Sequence, residues 1–78
     1  MKIVLLGREG CPTCARLEMD TINALTQLGI DAEFKHVMNE EEVKSYGIFP
    51  PAFIVNGKIK AAGRAPSFNE IKNILSTT

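Results

Sequence analysis

Residues 5 to 20 read LLGREGCPTCARLEMD, and the way this stretch divides decides the fold. Its first part completes an apolar run, Ile3-Val4-Leu5-Leu6, closed by Gly7. A continuous apolar run of this kind suits a strand covered on both faces. From Pro12 the period changes. Cys14, Leu17, Thr21, Leu25 and Leu28 form one stripe, Ala15, Met19 and Ile22 lie beside it, and Arg16, Asp20, Asn23 and Gln27 fall opposite. That is an amphipathic helix, with Gly29 placed to end it and Met19 expected in the core.

The two cysteines stand at this strand-to-helix junction. Cys11 falls at or beside the helix cap, Pro12 occupies the first helical position, where its missing N–H costs nothing, and Cys14 follows one turn along. The unpaired amides and the dipole of a helix start favour a thiolate at Cys11, and thiolate is the attacking species in disulfide exchange. Cys14, on the inward stripe, is the more sheltered sulfur. Arg8 favours the thiolate and Glu9 opposes it. A closed zinc site takes four Cys or His ligands, and here two cysteines and His36 are all the chain offers. A soft-metal module, holding Cu(I) or Zn(II) between two chains, is the alternative use of the same pair. The residues favour a pair that changes oxidation state.

The rest of the chain supplies a frame. Asp31 to Val37 alternates like a strand nearer an edge. Asn39 with Glu42 is a capping pattern for a short helix that turns Val43 and Tyr46 inward and stops at Gly47. Ala52-Phe53-Ile54-Val55 is a second buried strand, and Asn56-Gly57 is a hairpin turn joining it to Lys58 to Ala62. Ser67 and Glu70 make a capping box before Ile71, Ile74 and Leu75. The order β-α-β-α-β-β-α predicts one α/β domain over residues 1–78, with a four-stranded mixed sheet and three helices. Its first two strands are parallel, and the two most apolar strands lie centrally.

Composition narrows the function. The 78 residues carry 45% hydrophobic and 23% charged side chains, an ordinary globular balance. Nine basic residues cancel nine acidic ones, which argues against nucleic acid as a partner. The apolar run at the amino terminus is too short for a signal sequence or a membrane span, so a cytoplasmic location and no membrane partner are expected. In that reducing compartment two cysteines are more often catalytic or metal-binding than structural. Lone His36 reads as an ordinary satisfied or solvated histidine.

Phe49-Pro50-Pro51-Ala52 precedes the second buried strand, where a proline marks a boundary or a cis peptide bond. With CPTC at a helix start, PAFIVNGK, and YGI shortly before it, the chain resembles the thioredoxin and glutaredoxin superfamily. It is most similar to the very small thioredoxin-like redox-active disulfide proteins of archaea and bacteria, including the AAGRAPSFNEIKNIL segment that leads into the last helix. The resemblance covers essentially the whole chain. It implies a thioredoxin-like fold and a dithiol–disulfide oxidoreductase acting on protein disulfides without a bound cofactor. Cys11 matches the nucleophile, Cys14 the resolving cysteine and Pro51 the cis-proline, with Pro50, Pro12 and Thr13 as further substrate-contacting positions. Leu5 stands where thioredoxin keeps a buried aspartate. Phe49-Pro50-Pro51 and Gly63-Arg64 depart from the glutathione-binding pattern of glutaredoxins, so a thioredoxin reductase is the expected electron donor.

Overall fold

The computed structural model describes residues 1–77. Its elements are β1 (Lys2–Leu6), α1 (Pro12–Leu28), β2 (Glu33–Val37), α2 (Glu40–Ser45), β3 (Ala52–Val55), β4 (Lys58–Ala62) and α3 (Phe68–Thr77). The strands form one sheet in the order β2-β1-β3-β4. β2 lies parallel to β1 and pairs Leu5 with His36, whereas β3 runs antiparallel to β1 and pairs Leu5 with Phe53. The α/β order and the mixed sheet read from the sequence are those of the structure.

The two central strands are apolar throughout because each faces a core on both sides. Ile3, Leu5, Phe53 and Val55 pack beneath α1 and α3 against Leu17, Ala24, Ile71 and Leu75. Val4, Leu6, Ala52 and Ile54 turn the other way, where they cluster with Val37 of β2 and Val43 of α2. Burying one such aliphatic or aromatic side chain is worth about 1.5–3 kcal/mol, so these two strands anchor the fold.

Local chemistry sets the ends of each element. Gly29 takes φ 66° after α1, and Ile30 donates its amide to the Leu25 carbonyl at 3.0 Å, closing a Schellman cap. Asn39 Oδ1 accepts the Glu42 amide at 3.1 Å, and Ser67 Oγ accepts the Glu70 amide at 3.2 Å. The Glu70 carboxylate turns to Arg64 at 3.1 Å, which lowers its pKa, instead of completing the capping box. Asn56 and Gly57 both have positive φ, as a two-residue type I′ hairpin requires.

Two core assignments change. Met19 is exposed, and so is Ile22, because α1 is covered on one face only. Ala24 takes their place, completely buried between the sheet and α3. Tyr46 is also at the surface, leaving Val43 as the inward side chain of α2.

Candidate active site

The chemistry-bearing residues meet at the carboxyl end of β1. The strand stops at Leu6, and Gly7 continues the parallel pairing by donating its amide to the Val37 carbonyl at 2.9 Å. The chain then turns through Gly10, whose φ of 68° suits glycine, and enters α1. Cys11 is the N-cap of that helix, with extended φ −97° and ψ 108°, and Pro12 begins the first turn.

The two thiols differ sharply in setting. Cys11 is half-buried, and its Sγ accepts the Cys14 backbone amide at 3.2 Å. The Cys11 thiol titrates below the ordinary range. The leading cause is a hydrogen bond from the Cys14 side chain, followed by the Cys14 amide, with the Thr13 amide and the Arg8 charge adding to it. Cys14 is buried, and burial pushes its thiol up. Its hydrogen bond to Cys11 adds to this, while the Arg8 amide and charge partly offset it. The pair can therefore share one proton, held by Cys14, with the negative charge on the more accessible sulfur.

Phe49 and Pro50, just ahead of β3, lie beside the cysteine loop. The Pro50–Pro51 peptide bond is cis, and the Phe49 carbonyl accepts the Gly63 amide at 2.9 Å, tying this loop to the end of β4. Together with Gly7, Arg8 and Glu9 on one side and Met38, Val43 and Ile48 on the other, Phe49 and Pro50 line an open groove of about 900 Å³. Phe49 is 78% exposed and Met38 46%, a large apolar surface beside the cysteine loop. A second hollow, between Lys2, Asp31, Glu33 and Asn56, lies at the opposite end of the strands and is lined by neither cysteine.

A family model described as a thioredoxin domain matches residues 1–76. The chain belongs to the thioredoxin family. A thioredoxin of Methanothermobacter thermautotrophicus is 40% identical over 77 residues, spanning 97% of this chain and 99% of its own length. A thioredoxin of Methanocaldococcus jannaschii is 30% identical over 77 residues, spanning 99% of this chain and 90% of the relative. Among solved structures, thioredoxin 1 of Thermosipho africanus superposes with a TM-score of 0.67 at 18% identity, covering 99% of this chain and 92% of that one. A malarial protein superposes at 0.71 with 13% identity, covering 97% and 93%. At those identities the two structures speak for the thioredoxin fold.

Two side chains near the cysteines went unassigned in the sequence. His36, read as satisfied or solvated, is the satisfied kind: its ring is largely buried, and Nδ1 lies 2.7 Å from Glu18 Oε2. Glu18 follows Cys14 by four positions on α1, so it sits one turn further along the same face. Among the described residues no three His, Cys, Asp or Glu side chains gather as a metal-ligand cluster, and no helix is long and apolar enough to cross a membrane.

Proposed function

We propose that this thioredoxin-family protein is a thiol–disulfide oxidoreductase that reduces protein disulfides through Cys11 and Cys14. The observation carrying the reading is the inequality of the two sulfurs: Cys11 caps the helix as the more accessible thiol, with its pKa lowered, and Cys14 lies buried one turn behind it. Cys11 attacks a substrate disulfide, a mixed disulfide forms, and the first substrate thiol leaves. Cys14 then attacks the Cys11 sulfur, the second substrate thiol leaves, and the pair becomes a disulfide. Two electrons pass from the pair to the substrate.

The groove beside Phe49 and Pro50 supports an extended peptide substrate passing over the cysteine loop. Pro51, Pro12 and Thr13 are the further positions assigned to substrate contact. Pro50 has no N–H to offer a substrate backbone, so contact there falls to its carbonyl and ring. The redox pair itself serves in place of a bound cofactor. A reductase of the thioredoxin reductase type returns the electrons, and a cytoplasmic setting keeps the pair cycling.

The test is turnover of a protein disulfide with the reductant varied. Cys11→Ser is expected to abolish turnover, and Cys14→Ser to trap a mixed disulfide visible by mass. Recharging by a thioredoxin reductase system and not by glutathione is the expected preference. Unchanged activity in Cys11→Ser overturns the mechanism, and a retained Cu(I) or Zn(II) ion without dithiol cycling replaces it with the soft-metal module.

A further inference from the structure

The exchange reaction leaves one proton unaccounted for. Cys14 must lose its proton before it can attack the mixed disulfide at Cys11, yet it is 3% exposed. Burial raises its pKa, so the thiol form is favoured where the reaction needs the thiolate. With the sulfur shielded from bulk water, a proton acceptor within the protein beside Cys14 would speed this step.

Gly7 locates that acceptor. A methyl group placed on its Cα would lie 2.7 Å from His36 Nε2, 3.2 Å from Cys14 Cβ and 3.5 Å from Cys14 Sγ. The imidazole nitrogen and the sulfur therefore converge on one small space that only a glycine leaves open. They stand no more than about 6 Å apart, within the span of a hydrogen bond relayed by one water. Gly7 cannot retreat, because its amide is tied to Val37 at 2.9 Å. The other ring nitrogen sets the tautomer. A carboxylate only accepts, so the 2.7 Å contact to Glu18 Oε2 places a proton on Nδ1, and in the neutral imidazole the free lone pair is then that of Nε2, on the sulfur side.

The geometry points to His36 as the residue that takes the Cys14 proton during resolution, with Glu18 as the positioning residue that holds its ring. The step balances as follows. The Cys14 S–H proton passes to His36 Nε2, directly or through one water, and the Cys14 thiolate forms a bond to Cys11 Sγ. The bond from Cys11 to the substrate sulfur breaks with its electron pair on the substrate. The proton on His36 is then released to the departing thiolate or to solvent. The ionisable groups facing His36 are Glu18 and Cys14, both from α1, while β1 presents Leu5 in register. Arg8 acts on both thiols through its charge. The proposal rests on the exchange reading above and assigns its second step.

The test uses reduced protein in excess over dithiobis-nitrobenzoate, whose coloured thiolate is released once on attack by Cys11 and again on resolution by Cys14. Aromatic thiolates need no proton to leave, so the second phase reports deprotonation of Cys14. His36→Gln is expected to keep the first phase within about twofold and to slow the second on the order of 100-fold at neutral pH. The deficit should shrink about tenfold per pH unit as solvent takes over the deprotonation, and added imidazole should restore part of the rate. Glu18→Gln, which keeps an acceptor oxygen of the same reach but removes the negative charge behind the ring, should slow the second phase by about tenfold. An unchanged second phase in His36→Gln overturns the proposal, and so does one slowed by the same factor at every pH. A wild-type protein that never releases the second equivalent overturns the exchange reading instead.

Discussion

The sulfur of Cys11 accepts the backbone amide of Cys14 at 3.2 Å, so the atom assigned to attack substrate is also the cap of the helix that carries its partner. Reactivity and helix stability are thereby separable by substitution. Cys11→Ser retains an oxygen acceptor at the cap and should be as stable as the reduced wild type. Cys11→Ala loses the acceptor and should be less stable by about 1 kcal/mol in urea unfolding. Both should be inactive.

The same pair makes stability depend on pH. The Cys11 pKa is lowered in the folded protein, so its contribution is absent at low pH, grows as pH rises through the folded value, and is complete above the ordinary thiol value of about 9. Cys14 has the opposite sign: its raised pKa gives a contribution present below that value and lost as pH rises through the folded value. The margin of reduced wild type over Cys11→Ala should therefore widen with pH up to about 9. Urea titrations at several pH values measure it, and a margin that narrows with pH contradicts the assignment.

Gly7→Ala puts its methyl group against His36 Nε2 and the Cys14 side chain, in a place where the backbone is held by Val37. We expect a loss of about 1–3 kcal/mol in stability, as overpacking typically costs. The ring must also move off Glu18, so the His36 imidazole resonances should shift in the NMR spectrum. Unperturbed resonances would show that the space is larger than the structure has it.

Phe49 has little folded-state packing to lose. Phe49→Ala should leave stability within about 0.5 kcal/mol of wild type. On the groove rim its truncation should raise KM for a protein disulfide while leaving the rate with a small aromatic disulfide unchanged. Equal effects on both substrates would remove the groove from substrate binding.

Phe53 sits completely buried under α1 and α3, beside Leu5. Phe53→Ala should cost about 3–5 kcal/mol, a large share of the 5–15 kcal/mol that holds a typical domain together. Loss of the thermal unfolding transition near ambient temperature is the expected readout.

Most of the frame was legible because each element carries its own local signal. The four-residue apolar runs of β1 and β3 marked strands covered twice, Asn56-Gly57 marked the hairpin, and Gly29 marked the end of α1. The helix faces were less legible. Met19 is apolar enough to read as core, but which edge of an apolar stripe is covered depends on where α3 lands. Ala24 is not legible as core because a small side chain contributes little to a pattern, although its smallness suits close approach of a neighbouring helix. Pairing of His36 with Glu18 joins residues 18 positions apart through a parallel crossover, which no local pattern reports. The signal available was topological. His36 lies near the carboxyl end of β2, level with Leu5 of β1, and Glu18 lies one turn beyond Cys14, so both point toward the end of the sheet where the cysteines are.

The outer border of the sheet bears on how copies of this chain behave beside one another. In β4, Ile54 pairs with Ile59 and Phe53 with Ala61, so Lys60 is an extra residue that kinks the strand. Lys58 and Lys60 are exposed on either side of Ile59, an apolar residue that a neighbouring strand would otherwise cover. A kinked border carrying two ammonium groups is a poor template for continuing the ladder, since a second copy would meet both the mismatch and like charges. Strand-by-strand stacking is thus disfavoured at the rim farthest from β2, even though the protein keeps a broad apolar surface open around Phe49.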